Sequence, residues 1–212
     1  MEELTSLDAQ ESNITDLTGL EYCTNLTWLH LRSNQIDDIS HLGDLSNLTW
    51  LNLGINQINN ISPLTNLTGM TVLHLDHNQI SDISALDDLT NMTNLDLGYN
   101  QISDISPLSN LTSLINLVLG YNQIGDISSL ESLTNLVEVY LEDNQISDIE
   151  PLINNPGMSD GNYLMLYNNP LNAISINTYI PQLKSRGVGV LYYNQANEPA
   201  QLTVISRCPM VH

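Results

Sequence analysis

The segment HLDH at residues 74–77 places two imidazoles beside a carboxylate, and a further carboxylate, Asp96, follows His74 by 22 residues. Imidazole and carboxylate groups are common ligands of divalent transition metals. However, His74 and His77 fall in different columns of an extended segment, and nothing in the sequence fixes their geometry. We therefore favour an ordinary polar surface for His74, Asp76, His77 and Asp96 over a metal site, and we predict no cofactor.

The aromatic side chains form a second set with chemical potential. The chain has two Trp, nine Tyr and no Phe; Trp28 and Trp50 are 22 residues apart, as are Tyr99 and Tyr121. Exposed rings in one band often mark interaction sites, and Trp and Tyr are frequent binding hot spots. Alternatively, the rings stack between strands about 4.8 Å apart, which contributes roughly 0.2–1 kcal/mol per pair. We favour binding, with which stacking is compatible.

One internal repeat positions both sets. The triplet NQI recurs at a constant spacing of 22 residues, at 34–36, 56–58, 78–80, 100–102, 122–124 and 144–146. Around each Asn the pattern is L-x-x-L-x-L-x-x-N-x-I, the leucine-rich repeat signature. Its alternating part predicts a short strand with one face inward. We therefore predict an α/β fold, a right-handed leucine-rich-repeat solenoid with a parallel β-sheet on the concave face and short helical or 3-10 turns on the convex face.

Two polar positions in each copy have structural interpretations. The repeated Asn is expected to turn inward and satisfy backbone groups where the chain leaves the strand. A second column comprises Asp16, Asp38, Asp82, Asp104, Asp126 and Asp148, with Asn60 replacing one member. Stacked carboxylates suggest calcium, but we favour acceptance of a local backbone N–H. Ser62–Pro63 and Ser106–Pro107 predict a capping serine followed by proline at the first helical position.

Counting back from each repeated Asn predicts which side chains lie on the concave face. If Leu95 and Leu97 face the core, Asp96 faces solvent and Tyr99 follows at the exit of the strand. The predicted partner-binding residues are Trp28, His30, Trp50, His74, Asp76, His77, Asp96, Tyr99, Tyr121, Glu138, Tyr140, Tyr163 and Tyr167. Seven of the eleven aromatic residues of the chain are in this set, which favours a binding surface.

The period of the repeat divides the chain into three parts. Residues 1–153 are regular 22-residue repeats, of which the first is degenerate and follows no recognisable N-terminal cap. Residues 154–194 are an irregular last repeat and a C-terminal cap, with a helix expected at 174–186 and a strand at 188–193. Residues 195–212 read as a polar tail. The missing cap suggests that the chain is part of a longer protein.

Charge restricts the possible partners. The chain has 24 Asp and Glu against four Lys and Arg, a net charge of −20. Such a surface repels phosphate backbones, so we predict no nucleic-acid binding. It favours a partner with a basic patch, although adaptation to high salt would give the same composition. Apolar runs are too short for a membrane span, so we expect no membrane insertion. We also expect the protein to be a monomer.

The stretch NLTWLNLGINQINNISPLTNL (47–67) and its sister copies resemble the internalin-type, 22-residue bacterial leucine-rich repeat proteins. The resemblance implies a secreted or surface-displayed module that binds a macromolecule, most often a protein, on its concave face. A cytoplasmic location would follow if the chain truly starts at Met1. No catalytic motif such as G-x-S-x-G, a phosphate loop or H-E-x-x-H occurs, and we predict that the protein is not an enzyme.

Three alternatives to protein binding stay open. The same rings could stack on sugar faces, which would make the protein a glycan-binding surface domain. Cytosolic regulatory subunits of protein phosphatases have similar repeats, so a regulatory scaffold is a second possibility. A spacer that holds other domains apart is the third, and it predicts no loss of function when the concave aromatic side chains are removed.

Overall fold

The computed structural model describes residues 4–193, in which nine parallel strands form one sheet in sequential order. The strands are β1 Ser6–Asp8, β2 Trp28–His30, β3 Trp50–Asn52, β4 Val72–His74, β5 Asn94–Asp96, β6 Asn116–Val118, β7 Glu138–Tyr140, β8 Tyr163–Met165 and β9 Gly189–Leu191. This arrangement confirms the predicted solenoid with a parallel sheet.

The register of the sheet follows the repeat. Leu29 of β2 pairs with Leu51 of β3, and Leu51 pairs with Leu73 of β4, so each strand meets its neighbour at the same repeat position. These leucines are fully buried, as are the Leu and Ile residues that follow the strands. Because each copy covers the apolar face of the preceding copy, one continuous aliphatic core runs through the array.

The side opposite the sheet consists of short helical segments. Six are 3-10 turns, namely Leu20–Tyr22, Ser40–Leu42, Ser62–Leu64, Ser84–Leu86, Ser106–Asn110 and Ser128–Ser132; helix α1, Glu150–Asn154, follows. The expectation that Ser62 and Ser106 cap these turns is wrong, since neither turn has a side-chain cap. Instead the Ser106 N–H donates to Asp104 Oδ1 at 2.8 Å. The residue two positions earlier already supplies the acceptor, so the serine is the capped residue.

The structural interpretation of the acidic column is confirmed along its whole length. Each member accepts the backbone N–H two residues ahead, and Asn60 does so with Ser62 at 2.9 Å. The other six acceptors are Asp16, Asp38, Asp82, Asp104, Asp126 and Asp148, at 2.8–2.9 Å. A carboxamide therefore performs the same role as a carboxylate at this turn.

The repeated asparagines turn inward and form a ladder, as predicted, in which Asn34, Asn78 and Asn144 are buried and the others are half-buried. Asn78 is 8% exposed, and its Nδ2 donates to the carbonyls of Leu53, Leu75 and Asp76 at 3.0, 3.1 and 3.3 Å. Its Oδ1 accepts the Ile58 N–H at 2.9 Å. One side chain thus satisfies backbone groups of two successive repeats, which ties each turn to the preceding one.

The C-terminal end departs from the regular pattern. A π-helical segment, Ser175–Tyr179, leads into helix α2, Ile180–Ser185, where one uninterrupted helix was expected. Pro181 accounts for the change, because it has no N–H to donate to the preceding turn. The Arg186 Nη1 donates to the Ile153 carbonyl at 2.8 Å and joins this segment to the last repeat. The predicted tail, 195–212, lies outside the described residues.

Within residues 4–193, no helix is both long enough and apolar enough to cross a membrane. The longest helical stretch is the pair formed by Ser175–Tyr179 and Ile180–Ser185. It packs against β9 and α1 as part of the last repeat.

Candidate partner-binding face

Four solvent-facing positions in each repeat form the concave face, and each position forms a column of side chains that runs across the strands. The glycine column is two residues before each repeated Asn: Arg32, Gly54, Asp76, Gly98, Gly120, Glu142 and Tyr167. The left-handed column is one residue before it: Ser33, Ile55, His77, Tyr99, Tyr121, Asp143 and Asn168. Every member of the left-handed column has φ between 52° and 58°.

A tryptophan pair occupies the first two regular strands. Trp28 and Trp50 are partners in the β2–β3 register, and their rings stack 4.7 Å apart at 15°. His30 presents its edge to both, with centroid distances of 5.6 and 5.5 Å. Its Nδ1 lies 3.5 Å from Asp8 Oδ1. Both indoles are half-buried in this cluster, so part of the expected exposed band is internal stacking.

A second stack lies on the left-handed column. The rings of His77 and Tyr99 are 4.0 Å apart at 12°, and those of Tyr99 and Tyr121 are 4.0 Å apart at 10°. Unlike the indoles, Tyr99 and Tyr121 stay exposed, at 44% and 36%. A residue with a Cβ loses roughly 1–2 kcal/mol in the left-handed conformation. These rings are therefore displayed at positions that the backbone would fill more favourably with Gly or Asn.

The tyrosine hydroxyls on this side interact with one another. A hydrogen bond with Tyr121 raises the pKa of Tyr99, with burial adding to the rise. Burial likewise raises the pKa of Tyr167, whose hydroxyl interacts with that of Tyr121. The phenols are therefore neutral at physiological pH and can donate as well as accept hydrogen bonds.

The remaining predicted residues lie on β7, on β8 of the irregular last repeat, or just after β8. Tyr140 and Tyr163 contact each other across β7 and β8 at 6.0 Å and 56°. The Tyr140 hydroxyl donates to Glu138 Oε2 at 3.3 Å. Tyr167 packs on Tyr193 at 5.7 Å. All 13 predicted residues thus lie on one side of the sheet, but in separate clusters.

Three of the four residues first considered as metal ligands converge. His74, Asp76 and Asp96 can bring one ligand atom each within 4.8 Å of the others, whereas His77 stacks on Tyr99 instead. Each carboxylate already has a hydrogen-bond donor: Asp76 Oδ1 accepts from Arg32 Nη1 at 2.7 Å, and Asp96 Oδ1 from the Gly98 N–H at 3.0 Å. These contacts favour the polar-surface interpretation.

The Arg32–Asp76 ion pair was missed in the sequence. The two residues are 44 positions apart, on either side of Gly54 in the glycine column. A Cβ on Gly54 would collide with both Arg32 Nη1 and Asp76 Oδ1. The pair therefore lies directly over this glycine. The order Arg–Gly–Asp at one repeat position was the available signal, since strands two repeats apart are close enough for long side chains to meet.

Glu142 is the second residue that sequence reasoning did not select. Its side chain folds over Gly120 and is 9% exposed. Within residues 4–193, its Oε2 atom is enclosed without a hydrogen-bond partner. Burial raises the pKa of Glu142, and the carboxylates of Asp143 and Asp96 raise it further. Glu142 lines a concavity of about 200 Å³ in the concave face.

Comparison with known proteins agrees with this architecture. The family described as Leucine Rich repeats (2 copies) matches five overlapping windows: 24–69, 46–88, 68–110, 90–132 and 112–154. These windows span more than half of the chain, so the chain belongs to the leucine-rich repeat family. No curated protein matches its sequence.

Solved structures narrow the class to the internalin type. Internalin C2 of Listeria monocytogenes is 33% identical with a TM-score of 0.80, over 89% of this chain and 80% of that one. The internalin InlF of the same species is 36% identical with a TM-score of 0.81, over 92% of this chain but only 57% of that one. The functional domain of InlJ, described as including a cysteine ladder, is 25% identical with a TM-score of 0.56, over 81% and 46%. The chain is an internalin-type bacterial leucine-rich repeat protein.

Proposed function

We propose that this protein is a non-enzymatic binding module that recognises a protein partner on its concave face. The exposed stack of His77, Tyr99 and Tyr121 is the observation that supports this most directly. Bulky residues in the left-handed conformation are unfavourable, and backbone strain of this kind tends to persist where a functional side chain needs it. Rigid aromatic side chains surrounded by polar groups are the usual anchors of protein interfaces.

The rest of the concave face supplies orientation and charge. The Trp28–Trp50 pair offers a second apolar contact, and acidic side chains such as Asp96 and Glu138 lie between the aromatic clusters. Acidic groups select a partner with a basic patch and increase its association rate at low salt. We propose that the module acts at the bacterial surface or after secretion, where internalin-like arrays would meet such a partner.

The test is capture of partners from parallel libraries of cell-surface proteins and glycans. The wild-type chain is compared with a quadruple variant: Trp28→Ala, Trp50→Ala, Tyr99→Ala and Tyr121→Ala. We expect the wild type to retain a protein that the variant loses. Tyr22→Ala is the matched control, because Tyr22 is 80% exposed on the 3-10 turn Leu20–Tyr22, away from the sheet.

Each other outcome contradicts the proposal in a different way. Retention of a glycan, displaced by the free sugar, would make this a glycan-binding domain. Equal binding by the wild type and the folded quadruple variant would mean that the rings only stabilise the sheet. Thermal melting of both proteins ensures that a lost partner is not a lost fold.

A further inference from the structure

The glycine column has an ion pair in the first half of the sheet and a concavity in the second half. Gly54 is covered by the ion pair between Arg32 and Asp76, whereas the next two glycines of the column, Gly98 and Gly120, line the concavity, with Glu142 folded over Gly120. Acidic side chains bound this concavity, with Asp76 and Asp96 at one side and Glu142 at the other. At a strand spacing of about 4.8 Å, the Cα atoms of Asp76 and Glu142 are separated by roughly 14 Å.

The Arg32–Asp76 pair shows how a cation occupies this column. The guanidinium extends from one strand, passes over Gly54 and meets Asp76 Oδ1 at 2.7 Å. This contact raises the pKa of Arg32 above its ordinary value. The absence of a Cβ on Gly54 is what makes room for the planar group. Gly98 provides a similar bare backbone next to Asp96, whereas the space over Gly120 is taken by the Glu142 carboxylate.

The buried Oε2 atom of Glu142, which has no partner among residues 4–193, is not explained if the concavity binds nothing. The Glu142 side chain is more than nine-tenths buried, and other carboxylates are close to it. A buried carboxylate oxygen without a donor or cation is unfavourable, because burial removes its hydration. The Glu142 side chain lines the concavity, so a cation placed beside it over Gly98 would compensate its charge.

We propose that the concavity lined by Gly98 and Gly120 binds the guanidinium group of an arginine side chain from the protein partner. This inference rests on the proposed function of the concave face. Glu142 and Asp96 would accept hydrogen bonds from the planar group, as Asp76 accepts them from Arg32. Planar, forked donors match carboxylates better than an ammonium does. Val118, Tyr99 and Tyr121 line the same concavity and would contact the methylenes of the arginine side chain.

The first experiment titrates the isotopically labelled full chain with N-acetyl-L-arginine N-methylamide, followed by amide NMR signals. We expect saturable shifts of the Gly98 and Gly120 signals. N-acetyl-L-citrulline N-methylamide is the matched neutral probe, and we expect it to bind about tenfold more weakly or worse, because it lacks the charge. Equal shifts by the two probes, or no shift by either, would overturn the proposal. Equal affinity for the corresponding lysine probe would overturn the assignment to a guanidinium.

Variants locate the site. Glu142→Gln keeps the shape and removes the charge, so we expect it to weaken the arginine probe by about tenfold or more. Glu131→Gln is the control, since it changes the net charge equally on the exposed turn Ser128–Ser132 of the convex side. Gly98→Ala is a second test of the site that does not alter charge, and we expect it to weaken binding of the arginine probe. Its Cβ would lie 3.3 Å from Asp96 Oδ1 and 3.4 Å from Val118 Cγ1, so it fills space over Gly98 without a severe clash.

The results also separate this inference from the proposed function. A captured protein that needs Tyr99 and Tyr121 but binds Glu142→Gln as tightly as the wild type would leave the concave face as the binding surface and reject the arginine site. Specific arginine binding at Gly98 and Gly120, with no protein captured by the wild type, would reject the protein partner and retain a guanidinium site.

Discussion

Two neighbouring columns of this solenoid obey different rules. The inner column is Asn in all six copies that carry the NQI triplet, and each inward carboxamide bonds to backbone groups of two repeats, as Asn78 does. The left-handed column is only one residue earlier, yet it contains Ser, Ile, His, Tyr, Asp and Asn. The fold requires a particular side chain in the first column and only a particular backbone conformation in the second.

The difference shows where this molecule can carry function. A position defined by hydrogen bonds tolerates one residue, because every alternative leaves buried groups without partners. A position defined by φ near 55° accepts any residue at some energetic cost, and that cost is lowest for Gly and Asn. The fold therefore does not require the exposed aromatic rings at Tyr99 and Tyr121.

The largest expected effect comes from breaking the inner column. Asn78→Ala removes four hydrogen bonds to Leu53, Leu75, Asp76 and Ile58 and leaves their backbone groups unsatisfied. We expect the free energy of unfolding to fall by about 3 kcal/mol or more. Chemical denaturation measures the change.

Gln79→Ala is the control for that prediction. Gln79 follows Asn78 directly and is exposed, so its truncation should leave stability within about 0.5 kcal/mol of the wild type. Similar losses in the two variants would mean that the carboxamide ladder contributes nothing specific.

The next effect has the opposite sign. Ile55 is a β-branched residue in the left-handed column, with φ of 54° and 42% exposure. Ile55→Asn should stabilise the protein by about 1 kcal/mol, because Asn tolerates this conformation and little apolar burial is lost. Thermal melting measures the gain.

Ile115→Asn is the matched variant for Ile55. Ile115 is similarly exposed, at 40%, but does not have a positive φ. We expect no gain in melting temperature from this change. If both substitutions raised it equally, exposure of an apolar side chain and not backbone conformation would be the cause.

A smaller effect is expected where the left-handed residue also stacks. Tyr99→Asn relieves the same backbone strain but removes ring contacts with His77 and Tyr121 at 4.0 Å. Each aromatic pair contributes about 0.5–1.5 kcal/mol, with exposed rings at the lower end, so losing two pairs should nearly cancel the relieved strain and stability should stay within roughly 0.5 kcal/mol. A gain as large as that of Ile55→Asn would show that the stack contributes little to folding.

The features that repeat in the sequence could be predicted from it. The register of Leu29 with Leu51, the inward Asn and the acceptor role of residues such as Asp104 all follow from a pattern at one spacing. Six copies make the structural role of each position clear, because each position must satisfy the same environment in every copy. The placement of Tyr99 at the exit of a strand followed from the same count.

Features that break the repeat could not be predicted in the same way. Nothing in Ser33, Ile55 or Tyr99 signals a positive φ, since only Gly or Asn would. That conformation is imposed by the strand exit and the Asn ladder. The folding of Glu142 over Gly120 depends on which side chains surround one glycine, and no sequence period encodes that arrangement.

The smallest effect concerns a third column, in which only an exposed acceptor is needed. The Ser106 backbone N–H bonds to Asp104 and lowers the pKa of this carboxyl. A lowered folded-state pKa means that the ionised group stabilises the protein above its unfolded-state pKa, near 3.9, and that this contribution disappears as pH falls through the folded-state value. Asn60 performs the same role without a charge.

Asp104→Asn should therefore leave the melting temperature at pH 7 close to that of the wild type, whereas Asp104→Ala should lower it slightly by leaving the Ser106 N–H without its acceptor. As the pH falls from the unfolded-state pKa towards the lowered folded-state pKa, the wild-type carboxyl progressively loses its advantage, but Asn keeps its carbonyl oxygen. The melting temperature of Asp104→Asn relative to wild type should then rise on acidification to pH 3. A constant difference at both pH values would mean that the charge adds nothing to the role of the acceptor at this turn. Nearby Asp82 acts in the opposite direction to the hydrogen bond, since its negative charge raises the pKa of Asp104. Removing one charge from the column thus offsets part of what the substitution loses at pH 7, which is why this effect ranks last.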